Sequence, residues 1–160
     1  MKTITVLGNE YSIIEQKNER DKVEFKEDQL LIEYEDKSPE SLLDDFLSDL
    51  LFNKVSDITD SFKKEGKIDL LGTLDVEITE KIDNKKTRIA KLKGNKIILK
   101  QDLVELPEDV IKYVIAHEIA HVSNKGHTKR FWKTVELIFP KYEEAKQELA
   151  SNSNLIQGFV

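Results

Sequence analysis

The 160-residue chain has no cysteine. Disulfide frameworks, thiolate zinc fingers, iron–sulfur clusters and thiol catalysis are therefore excluded, and a reducing, cytoplasmic setting is the expectation. Proline (three) and glycine (six) are scarce, which does not fit a collagen-like or low-complexity chain. No apolar run approaches the roughly 20 residues that span a bilayer. The start, Met1-Lys2-Thr3-Ile4-Thr5-Val6-Leu7-Gly8, lacks a signal-peptide apolar region, so no membrane association is expected. Positive charge is also short: Lys+Arg 25 against Asp+Glu 31 leaves −6. A general nucleic-acid coat is disfavoured, because such binding rests on phosphate neutralisation.

What remains is a globular composition, 39% hydrophobic and 35% charged. At this length one domain over residues 1–160 is expected, with a core large enough to fold without staples. The fold class expected is α+β: an antiparallel β-meander or sheet, one long packing helix and a C-terminal helical part. Residues 1–36 read as the meander, with strands at 2–7, 10–15, 22–26 and 29–34 separated by turn chemistry at Gly8-Asn9, Asn18 to Asp21 and Glu27-Asp28. Residues 38–66 read as the long helix. Ser38 is a natural N-cap, Pro39 a natural first residue and Gly66 a stop. Leu43, Phe46, Leu47, Leu50, Leu51, Val55, Ile58 and Phe62 recur in three- and four-residue steps along one stripe.

Residues 67–100 alternate again. A strand is expected over 67–80, a hairpin loop over 81–86, and a second strand pair, 87–92 and 96–100, around Lys93-Gly94-Asn95. Residues 106–150 read as helices: one from Pro107 to about Ser123, one from Lys129 to Phe139 capped by Thr128, and one from Lys141 to Ala150. Residues 151–160 form a polar-to-apolar tail.

The chemistry concentrates at His117-Glu118-Ile119-Ala120-His121, followed six residues later by His127. Residues four apart on a helix share a face, so His117 and His121 can direct two imidazoles at one point. Such nitrogens suit tetrahedral Zn²⁺. Glu118, one step round the helix, is placed to hydrogen-bond a water on the metal rather than to be a ligand. His127 is the candidate third ligand; Asn124 and Gly126 between it and His121 tolerate left-handed backbone and would let the chain turn back. Three histidines with a fourth position open is the catalytic pattern of zinc sites.

The chain has only three histidines, and all three fall in this pattern. Chance places three histidines and the glutamate so in about 2 of 100,000 arrangements. The competing reading has two packed helix histidines and a third on a polar turn. One Zn²⁺ per chain would make hydroxide available near pH 7, and Glu118 would act as general base and then pass the proton to the leaving group. Tyr142, Arg130 and Lys129 are chemically possible oxyanion donors, none of them singled out.

The motif through His127 and Phe131-Trp132 resembles the YgjP-like family of small zinc metallopeptidases, relatives of the SprT-like and WLM (Wss1-like) groups. Upstream, Leu106-Pro107-Glu108-Asp109-Val110-Ile111-Lys112-Tyr113-Val114 is similar to the family's Pro-containing opening and its Tyr-Val. Downstream, His127-Thr128-Lys129-Arg130-Phe131-Trp132 resembles its His-Ser-x-x-Phe-Trp, and Phe139-Pro140-Lys141-Tyr142 its Pro-x-Tyr. The resemblance spans roughly the last 120 residues, most specifically 86–150. It implies a zincin-like subdomain, zinc ligands His117, His121 and His127, general base Glu118, and a peptide or protein substrate.

One segment departs from the family. Where its members usually carry Trp-Gly-Ser-Cys-Ser, this chain reads Thr87-Arg88-Ile89-Ala90-Lys91. The histidine spacing also equals that of metzincins, but the only methionine is Met1, so their downstream Met-turn is absent. Two alternatives stay open: a metal-dependent hydrolase of a nucleotide or nucleic-acid-linked substrate, drawn to Lys125, Lys129, Arg130 and Lys133, and an inactive zinc-binding module.

Overall fold

The computed structural model describes residues 2–67, 74–84 and 88–151. The start of the expected 67–80 strand, with Ile68 and Leu70, the end of the 81–86 loop, and the tail beyond Ser151 lie outside the described residues.

The first four strands are β1 (Thr3–Val6), β2 (Asn9–Lys17), β3 (Lys22–Lys26) and β4 (Gln29–Tyr34). They form one sheet in the order β1-β2-β4-β3. Its two hairpins are antiparallel as expected, but β2 and β4 run parallel, from Ser12 beside Gln29 to Lys17 beside Tyr34. The sheet is thus not a simple meander. Leu30 and Ile32 make β4 the most buried strand, and the most apolar strand takes a central position, where both edges are hydrogen-bonded and both faces can be covered.

The second sheet repeats this arrangement. Its strands β5 (Asp75–Thr79), β6 (Ala90–Lys93) and β7 (Lys96–Lys100) lie in the order β5-β7-β6. The β6–β7 hairpin around Gly94-Asn95 is as expected. The expected return of β5 onto β6 is not found; β5 pairs in parallel with β7 instead. Again the central strand is the one whose alternate residues, Ile97 and Leu99, are wholly buried.

Between the sheets in sequence runs α1 (Pro39–Lys64), about 39 Å long at 1.5 Å per residue. The Ser38 hydroxyl accepts the Ser41 N–H at 3.2 Å, as the cap reading requires. At the other end Gly66 takes φ +70, and Lys67 and Gly66 donate to the carbonyls of Phe62 and Lys63. This is a glycine-terminated Schellman closure. Leu47, Leu51, Val55, Ile58 and Phe62 enter the core, with Leu43, Phe46 and Leu50 packed at its edge.

A short 3-10 helix (Gln101–Glu105) leads from β7 through Pro107 into α2 (Glu108–Ala120). Apart from its first turn, Lys112 and the site residues His117 and Glu118, α2 is apolar, and it is buried at every position from Val110 to Ala120 except Lys112, as a helix without a continuous polar face must be. Helices α3 (Lys129–Ile138) and α4 (Tyr142–Ala150) pack onto it. α3 is capped by the Thr128 hydroxyl, which accepts the Phe131 N–H.

The N-terminal sheet is fastened to the start of α2. Leu7 and Gly8, both at positive φ, make the two-residue turn of the first hairpin. Their N–H groups donate to the carbonyls of Val104 and Glu105 at 2.7 and 3.0 Å. A Cβ on Gly8 would lie 3.0 Å from Pro107 Cγ, so this position needs glycine for both its backbone angle and its clearance.

Candidate metal centre

His117 and His121 face the same side of the C-terminal end of α2, one helical turn apart. The ring centroids of His117, His121 and His127 form a near-equilateral triangle with sides of 4.9, 4.9 and 5.2 Å. One ring nitrogen from each lies within 4.8 Å of the others. The spacing pattern in the sequence therefore brings all three together.

Hydrogen-bond partners orient the rings of both helix histidines. Nδ1 of His121 is 3.0 Å from the carbonyl oxygen of Asn124. A carbonyl only accepts, so Nδ1 carries the proton and Nε2 keeps its lone pair. Nδ1 of His117 is 3.0 Å from the Glu118 carboxylate, with the same consequence. The Nε2 atoms of His117 and His127 face each other at 3.2 Å. Two nitrogens each 2.0–2.1 Å from a tetrahedral ion are about 3.3 Å apart, so this pair fits one coordination edge. Neutral imidazoles with oriented lone pairs suit zinc and related divalent metals.

The turn that returns His127 is built differently from the expectation. Neither Asn124 nor Gly126 adopts positive φ. Instead the helix unwinds through tight turns: His121 and Val122 donate to the carbonyls three residues back, and Asn124 N–H to Ala120. Asn124 contributes through hydrogen bonds rather than through an unusual backbone angle. Its carbonyl holds His121, and its side-chain amide reaches the Ala120 carbonyl, Ser123 Oγ and Thr134 Oγ1. The loop is thereby tied to α3.

Phe131, wholly buried, has its ring 5.2, 4.5 and 4.9 Å from those of His117, His121 and His127. It gives the triad an apolar floor that limits solvent on one side. Tyr113, one turn before His117, is buried with its ring 6.0 Å away; burial pushes its phenol above the ordinary range. Partial desolvation, together with His117 and His121, holds His127 below its usual pKa, which favours the neutral, metal-binding form.

Among the other residues singled out in the sequence, Tyr142 stacks on Trp132 at 5.7 Å. Lys125, Lys129, Arg130 and Lys133 are solvent-exposed along the loop and α3. Sequence reasoning gave no role to Phe131, Thr134 or Lys146, and none to the hydrogen bonds of Asn124. Phe131-Trp132 stood inside the recognised motif, and Asn124 lay three residues after His121. Lys146 had no local signal, because its position depends on how α4 packs.

A family model described as YgjP-like, metallopeptidase domain, matches residues 1–152. The chain belongs to the YgjP-like family. This membership takes in the N-terminal sheet as well as the motif-bearing helices. Among curated proteins none matches. Two solved structures are similar. The metallopeptidase zymogen of Pyrococcus abyssi, abylysin, is 23% identical with a TM-score of 0.52, covering 63% of this YgjP-like chain and 96% of its own. That of Methanocaldococcus jannaschii, jannalysin, is 21% identical with a TM-score of 0.46, covering 62% and 93%. The first of these shares the fold. No helix among the described residues is long and apolar enough to cross a membrane.

Proposed function

We propose that this protein is a zinc-dependent peptidase in which His117, His121 and His127 hold one Zn²⁺ and Glu118 is the general base. The observation that carries the reading is the convergence of three imidazoles beside a carboxylate, at the end of a buried helix of a metallopeptidase-family chain. Three neutral nitrogen donors leave a tetrahedral ion one open position, as in catalytic zinc sites.

Zinc bound there supplies a Lewis acid for a peptide carbonyl and lowers the pKa of water to about 7. The chain's own groups do the rest. Glu118, 8% exposed, accepts the proton of the attacking water as its oxygen bonds to the carbonyl carbon. It then delivers that proton to the amide nitrogen as the C–N bond breaks, leaving a carboxylate and an amine. Asn124 keeps His121 in the binding tautomer, and Phe131 limits water behind the triad. The substrate is a peptide or protein.

Metal analysis of the purified protein and two variants tests this. One zinc per chain is expected, with His127→Ala weakening zinc binding more than about a hundredfold. Glu118→Gln should keep the metal while peptide hydrolysis falls about 10²–10⁴-fold. Unchanged zinc affinity in His127→Ala would remove the third ligand, and full hydrolysis by Glu118→Gln would remove the base.

A further inference from the structure

A cleft of about 550 Å³ opens beside the triad, lined by Trp132, Tyr142, Glu143, Lys146, Gln147 and Ala150. Trp132 belongs to both places: its ring lies 6.1 Å from that of His127 and 6.2 Å from that of His117. Tyr142 stacks on its indole with only 19° between the planes, and Lys146 sets its ammonium 3.9 Å from the indole centroid. The charge is thus no farther than about 10 Å from the His127 ring, a reach of at most about three extended residues.

The charge pattern decides what fits. Among the described residues no carboxylate pairs with Lys146 within ion-pair distance. The Glu143 carboxylate accepts the Tyr142 hydroxyl at 3.4 Å. A cation–π contact occupies one side of an ammonium and leaves N–H donors for an anion. Glu143 on the same wall disfavours a dianion such as phosphate more than a singly charged carboxylate.

We propose that this cleft is a substrate subsite that receives a carboxylate of the bound peptide on Lys146, with Trp132 and Tyr142 flanking the residue that bears it. The carboxylate is either the peptide's own C-terminus or an Asp or Glu side chain close to the scissile bond. The inference rests on the peptidase reading above and adds its substrate class.

Trp132 is the chain's one tryptophan, so its fluorescence reports occupancy of this cleft without any turnover. The zinc-loaded protein is titrated with acetyl-Gly-Phe, with the same peptide as its C-terminal amide, and with acetyl-Gly-Asp-amide, in wild type and in Lys146→Met. One of the two acids should bind about tenfold tighter than the neutral amide. That preference should fall to about one in Lys146→Met at unchanged zinc content. A preference for acetyl-Gly-Phe assigns the C-terminal carboxylate; a preference for acetyl-Gly-Asp-amide assigns an acidic side chain. Equal affinities, no fluorescence response, or an acid preference that survives Lys146→Met overturns the subsite, the last because the carboxylate would then sit on the metal. Failure of the peptidase reading shows separately, as missing zinc or absent hydrolysis in the preceding experiment.

Discussion

The side-chain amide of Asn124 donates to Thr134 Oγ1 at 3.1 Å, and the Thr134 hydroxyl in turn donates to the Arg130 carbonyl. Through this link α3 holds the residue whose carbonyl fixes the tautomer of His121. Thr134→Val keeps the shape and removes the link. Zinc affinity, measured by chelator competition, is expected to fall about tenfold, with the melting temperature nearly unchanged and Thr134→Ser restoring affinity.

The His127 pKa sets a pH window. Its ordinary value of 6.5 is lowered by partial desolvation and by the other two histidines. A histidine with a depressed folded-state pKa favours the folded, neutral form above the unfolded pKa, and this contribution is lost as pH falls through the folded value. In zinc-free protein the His127 ring resonances should therefore titrate below 6.5 in an NMR series. In His117→Ala the midpoint should move upward, because one of the groups that lowers it is gone.

A second pH effect belongs to the N-terminal sheet. Glu33 on β4 hydrogen-bonds the Arg20 guanidinium, and this partner holds its carboxyl below the usual range. Protonation breaks the pair, so its contribution is present above the unfolded carboxyl pKa and lost as pH falls through the depressed one. Arg20→Met should shift the acid-unfolding midpoint, followed by circular dichroism, to higher pH.

Two glycines separate backbone strain from crowding. Gly66 at φ +70 has nothing near its missing Cβ, whereas Gly8 at φ +85 also meets Pro107. Gly66→Ala should cost about 1 kcal/mol, or about 2–4 °C in melting temperature. Gly8→Ala should cost more, because Pro107 must move as well. Gly126→Ala, with φ outside the strained region and only Thr128 Cγ2 near at 3.9 Å, should be close to neutral.

The parts of the fold readable from sequence were those specified locally. The α1 cap and stop are set by Ser38, Pro39 and Gly66, and the mostly apolar circumference of α2 announces burial. The three histidines declare themselves because helical periodicity converts a four-residue step into one face. Strand partners were less legible: β2 lies beside β4, and β5 beside β7, because burial of Leu30, Ile32, Ile97 and Leu99 decides which strand sits centrally. The cleft was invisible for a related reason. Trp132, Tyr142 and Lys146 meet only after α3 and α4 have packed on α2. At Asn124 the residue was noticed for the wrong property, its tolerance of left-handed backbone, when its hydrogen-bonding groups are what the loop uses.

The clasp of Leu7 and Gly8 onto Val104 and Glu105 joins backbone about a hundred residues apart, a long-range closure of the kind that slows folding. A ribosome delivers the chain from its amino end. The first hairpin must therefore leave these two amide protons to water until the run-up to α2 has emerged. Completion of the earliest strands and docking of the histidine-bearing helix thus become one late event in the birth of the molecule.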